Sequence, residues 1–164
     1  LGNKKAQPEG KKIKNKDYTN YEEGIYVGYR HFDKADLDVA YPFGHGLSYT
    51  DFEYSSAAVT LEKDSIQISV QIQNTGKRSG KEVVQVYVSK SNSTIDRPLK
   101  ELKAFAKTSA LEPNATEELQ INIAVSDIRY WDEAKNDWVL EKGCYTVKLG
   151  SSSRDVRQEY TIEL

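Results

Sequence analysis

The stretch Ser65-Ile66-Gln67-Ile68-Ser69-Val70-Gln71-Ile72-Gln73-Asn74 decides the fold. Its β-branched apolar residues fall on every second position and its polar residues between them, the period of a strand with one face in a core and one in water. A helix would need apolar residues three and four apart. Asn74-Thr75-Gly76 ends the run in turn residues. After Gly80 a second strand is expected, with Val84, Val86 and Val88 on one face and Val83 and Tyr87 on the other. Apolar residues on both faces make that strand central, or covered on its outer face by a loop or a neighbouring domain.

Downstream the pattern repeats. Ser89 to Pro98 is polar and loop-like, and Leu99 to Lys107 reads as a strand bearing Leu102 and Phe105. Pro113 and Asn114 turn the chain, and Leu119, Ile121, Ile123 and Val125 form the next alternating face. Short pieces around Ile128 to Trp131 and Trp138 to Leu140 read as a hairpin. Cys144 to Leu149 and Val156 to Leu164 close the pattern, with Gly150 and three serines supplying the turn. No segment shows a sustained helical period. Seven or eight antiparallel strands and almost no helix predict an all-β sandwich over residues 57–164.

Upstream the texture changes twice. Residues 1–20 are rich in Lys, Asn, Gly and Gln with no apolar period, as expected of a flexible tether. Residues 21–56 carry Tyr21, Tyr26, Tyr29 and Phe32 and the run Tyr41-Pro42-Phe43-Gly44-His45-Gly46-Leu47-Ser48-Tyr49. This junction is too irregular for a strand ladder and too aromatic to leave in water, so Tyr41, Phe43, Leu47 and Tyr49 are expected to pack on a partner surface.

Bulk properties exclude several function classes. The 164-residue chain has 38% hydrophobic and 29% charged residues and a formal net charge of −2. That composition suits a globular domain and gives no concentrated basic face for nucleic acid. Its apolar runs are far shorter than the ~20 residues of a membrane-spanning helix. The chain starts at Leu1 without Met or a secretion signal and reads as a piece of a longer protein, which leaves the compartment open. Cys144 is the single cysteine, so no internal disulfide or multi-thiolate zinc site can form, and its strand context predicts a buried, inert thiol.

Two blocks resemble glycoside hydrolase family 3, which includes many β-glucosidases and β-xylosidases. Glu23-Gly24-Ile25-Tyr26-Val27-Gly28-Tyr29-Arg30 followed by Tyr41 to Thr50 is similar to the family's junction after its α/β domain. Asn74-Thr75-Gly76, Gly80 to Val88 and Arg97-Pro98-Leu99-Lys100-Glu101-Leu102-Lys103-Ala104-Phe105 resemble its immunoglobulin-like, fibronectin type III-like sandwich. Ala104 stands where Gly is usual, and Glu112-Pro113-Asn114 where Pro-Gly is commoner. The resemblance implies a non-catalytic C-terminal accessory domain that braces an upstream barrel and α/β domain. Those domains would supply the Asp nucleophile and the acid/base, carboxyl groups that retaining hydrolysis holds about 5–5.5 Å apart. No cofactor is implied, and the isolated chain is expected to be inactive.

Candidate chemistry within the chain is sparse. Glu22 and Glu23 are paired carboxylates, and Asp33, Asp36 and Asp38 an acidic run, but adjacent carboxylates on extended chain diverge and the run lacks an EF-hand's Gly and distal Glu. A solvated loop, without metal, is the expectation. His31 and His45 lie in no nucleophile context. Tyr29, Arg30 and His45 are candidates for the edge of the substrate cleft, because the junction passes near it in some relatives. Trp131 and Trp138, with Tyr130, form either an aromatic platform for oligo- or polysaccharide, as in a carbohydrate-binding module, or part of the core; core packing is the expectation. Asn92-Ser93-Thr94 and Asn114-Ala115-Thr116 match the glycosylation pattern, which matters only in a eukaryotic secretory setting.

Overall fold

The computed structural model describes residues 22–164, so the expected tether at 1–20 lies outside the described residues. A short helix, α1 (Tyr29–Lys34), precedes nine strands. They are β1 (Phe52–Glu62), β2 (Ser65–Asn74), β3 (Val83–Lys90), β4 (Glu101–Lys107), β5 (Thr116–Ala124), β6 (Tyr130–Asp132), β7 (Asp137–Val139), β8 (Cys144–Gly150) and β9 (Val156–Glu163). Seven of them form two antiparallel sheets in the orders β1-β2-β5 and β4-β3-β8-β9, while β6 and β7 pair separately. The expected β-sandwich is therefore present, with one small hairpin added.

Alternation in the sequence becomes burial. Ile66, Ile68, Val70 and Ile72 on β2 are fully buried, as are Val84 and Val86 on β3 and Val147 and Leu149 on β8. Register pairs Ile68 with Ile121 and Val86 with Leu149, so the apolar rows line up across strands and face each other between the sheets. A one-residue slip would turn either row to water, so the same pattern that makes the core also fixes the register.

β3 is central, and its outer face is also closed: Gln85 and Tyr87 are buried there, opposite the buried Val84 and Val86 of the inner face. The cover is the junction, laid across the four-stranded sheet.

Four expectations need correction. The first strand starts at Phe52 rather than at Ala57, because a bulge between Ser55 and Ala58, with Ser56 at φ 44°, interrupts the alternation that would reveal it. Trp131 and Trp138 are not in the core; they are 45% and 57% exposed. They face each other across the hairpin, ring centroids 5.7 Å apart at 72°, and the aromatic contact supports strands of only three residues each. Cys144 opens β8 at the end of the sheet and is half-buried rather than buried. Asp33 does not lie in a solvated loop: its side chain is only 7% exposed and doubly paired, although Asp36 and Asp38 are exposed as expected.

Candidate functional site

Gln85 is the centre of the junction's attachment. Its amide nitrogen donates to the carbonyl of Gly44 at 3.0 Å and of Ser151 at 2.6 Å, and its oxygen accepts from the Tyr87 hydroxyl at 2.6 Å. One side chain thus ties the Tyr41–Gly46 turn and the β8–β9 corner to the central strand. Gly44 is required at this contact: its φ is 79°, and a Cβ there would overlap the Gln85 amide. Burial raises the Tyr87 hydroxyl pKa above its ordinary value, which keeps it a neutral donor.

α1 is held by side chains on three of its six positions. The Tyr29 hydroxyl accepts from the Leu102 N–H at 2.9 Å, and its ring stacks on Phe43 at 4.8 Å and meets the edge of Tyr87 at 6.0 Å. Arg30 pairs with Glu101 at 3.1 Å. Asp33 binds Lys100 at 2.7 Å and Arg154 at 3.3 Å, and Arg154 also donates to the Leu37 carbonyl at 2.6 Å. A six-residue helix would be marginal alone. These bonds, not its propensity, hold it in place.

Beyond the junction, two polar hubs lock the loops. Asn74 is fully buried with its side chain saturated: Oδ1 accepts from the Thr50 hydroxyl and the Gly76 N–H, and Nδ2 donates to the carbonyls of Arg78 and Leu111. A Cβ at Gly76 would overlap the Thr50 hydroxyl, which explains the pairing of Asn and Gly in this turn. Glu141 accepts from the Ser93 hydroxyl, the Thr94 N–H and hydroxyl, and Arg97. Burial by itself would raise its pKa, but these donors together outweigh burial and lower it to about 2.

Other candidate residues are dispersed. Tyr29 and Arg30 face the sandwich, whereas His45 stacks on Tyr41 at 5.2 Å in the exposed turn. Leu47 and Tyr49 are 92% and 91% exposed. Among the described residues no three of His, Cys, Asp or Glu come together to hold a metal ion. The T-shaped tryptophan pair lacks the coplanar faces of a sugar platform. Asn92 and Asn114 occupy turn positions of positive φ, 50° and 66°, that Asn tolerates better than most residues. The sequence marks Asn74 as a turn residue but not as a buried hub, and it does not mark the roles of Gln85, Arg154 and Glu141; for Gln85 the available signal is a polar residue at a central strand position.

Residues 82–153 match the family model of the fibronectin type III-like domain. A β-glucosidase of Kluyveromyces marxianus is 45% identical over 147 residues, covering 87% of this chain and 17% of that protein. The chain carries a fibronectin type III-like domain of the kind found in the β-glucosidases of glycoside hydrolase family 3. The probable β-glucosidase K of Emericella nidulans is 44% identical to this domain and its junction over 146 residues, 88% of this chain and 17% of its own. The structure of β-glucosidase 3B from Thermotoga neapolitana, in complex with α-D-glucose, superimposes with a TM-score of 0.83 at 45% identity, covering 87% of this chain and 20% of that one. The fibronectin type III-like domain and junction thus span about a fifth of the length of the relatives they match.

Proposed function

We propose that this chain is the non-catalytic accessory part of a retaining, β-glucosidase-like enzyme, and that its junction packs on the catalytic barrel and α/β domains and fixes their orientation. One observation carries the reading. Of the thirteen large apolar residues exposed among the described residues, eight lie between Ile25 and Tyr49. That segment is pinned from beneath by Gln85, Glu101, Lys100 and Arg154, so its backbone is rigid while its apolar side chains face outward. Apolar surface of this density marks an interaction site. Tyr41, Phe43, Leu47 and Tyr49 are the contact residues in this reading, and Tyr29 and Arg30 position them.

Hydrogen exchange tests it. Amides of residues 41–49 should exchange more slowly in the full-length enzyme than in this chain alone, and equal rates would remove the bracing role. The isolated chain should not cleave an aryl β-glucoside. Calorimetric titration with xylan, cellulose oligomers or β-glucan should give no heat of binding.

A further inference from the structure

Between α1, the Tyr41–Phe43 turn and the β8–β9 corner lies a cavity of about 190 Å³. Tyr29, Phe32, Val39, Tyr41 and Phe43 supply most of its wall. The charged residues at the cavity are already engaged: both Asp33 oxygens are bonded, Arg154 Nε donates to Asp33, and Arg154 Nη2 donates to the carbonyls of Phe32 and Leu37. Ser153 also lines the cavity, and it is different. Its residue is only 1% exposed and its hydroxyl has no partner, although its N–H donates to the Phe43 carbonyl at 2.8 Å.

A dry apolar cavity of about 150 Å³ admits a benzene ring, so this one has room for a ring with a substituent. A sugar fits its chemistry poorly, since each hydroxyl would need a partner and the polar wall groups other than Ser153 are largely taken. A phenol fits better, with its ring against the aromatic wall and its hydroxyl available to the unpartnered serine.

We infer that this cavity receives one tyrosine-like aromatic side chain from the part of the polypeptide on which the junction packs. The inference rests on the bracing proposal, and it names the contact that would centre the interface. The matched relatives are five to six times longer than the portion this chain covers, so most of such a polypeptide is available to supply the ring. The cavity is also continuous with the exposed apolar turn, because Tyr41 and Phe43 belong to both. A buried aromatic anchor surrounded by weaker contacts is the usual energetic plan of such an interface.

Two measurements test it. p-Cresol, the tyrosine side-chain analogue, is titrated into the 164-residue chain while amide NMR signals are followed. Saturable shifts are expected at Tyr29, Phe43 and Ser153, and their absence overturns the inference. In the second, the chain is mixed with the separately produced upstream segment of the polypeptide. Val39→Trp, which fills the cavity from its own wall, should weaken association at least about tenfold; unchanged association overturns the inference. Leu47→Asp, outside the cavity, separates the two readings. If it weakens association and Val39→Trp does not, bracing stands and the cavity contact falls; if neither does, both fall. Should Val39→Trp not fold, the p-cresol titration and Ser153→Ala, with its expected weaker p-cresol binding, decide the matter.

Discussion

Gln85, in the central strand of the larger sheet, holds the carbonyl of Gly44 at 3.0 Å across 41 residues of sequence. The same amide group engages Ser151 and, on its own strand, Tyr87, so one side chain ties two distant pieces of chain to the central strand. The bond links two levels of organisation: a sandwich built by alternation, and a junction without alternation that takes its shape from the sandwich.

Gln85→Leu keeps the volume roughly constant and removes every polar bond. It leaves the Tyr87 hydroxyl and two carbonyls without partners, each costing about 1–3 kcal/mol where water cannot reach it. The carbonyls are partly buried and recover some hydration, so the expected loss is about 2–3 kcal/mol by urea denaturation. Amides of residues 41–46 should exchange faster even under conditions where β2 remains protected.

Asp33→Ala should act locally. Removing the carboxylate abandons Lys100 and Arg154, and charged hydrogen bonds of this kind are worth about 1.5–3 kcal/mol. α1 contributes no buried residue to the core. Its opening should therefore become easier by about that amount, measured by exchange at residues 29–34, while the global unfolding midpoint moves little.

The sequence made the sandwich legible and the junction's attachment much less so, for a physical reason. Ile66 to Ile72 and Leu119 to Ile123 announce their faces because a strand's period is local, readable without knowing what lies opposite. Val83 and Tyr87 mark the face that carries Gln85 as covered, but the identity of its cover is not local: the Gly44 carbonyl that Gln85 binds lies 41 residues away in the chain. Asp33 looked like one of three surface carboxylates for the same reason, since its partners lie 67 and 121 residues away. The aromatic content of the junction did signal packing, and Tyr29 and Phe43 do meet. The tryptophans misled because their burial was inferred from size, whereas a short hairpin uses them against each other.

Trp138→Ala separates those uses. Loss of one ring should remove the exciton-coupled circular dichroism of the T-shaped pair and weaken the β6–β7 hairpin by about 0.5–1.5 kcal/mol. Neither ring belongs to the core cluster, so the melting temperature of the sandwich should change only slightly. A large drop in that temperature would restore the core role that the exposure of the rings denies.

Acid should reveal the Glu141 hub. Its folded pKa is lowered from 4.5 to about 2, so the unfolded chain takes up a proton at higher pH than the folded one does. The resulting stabilisation is complete above about pH 4.5 and is lost as the pH falls through about 2. Glu141→Gln has no charge to titrate and cannot give Arg97 an ionic partner. The variant should be less stable than the parent at pH 7, and the gap should narrow steadily between pH 4.5 and 2, where the parent's unfolded chain binds a proton that its folded state does not. Because the bonds at Ser93 and Thr94 order the loop before β4, the first amides to lose protection in the parent on acidification should be those of residues 93–97. A stability gap independent of pH across that window would mean that the hub acts through packing rather than charge.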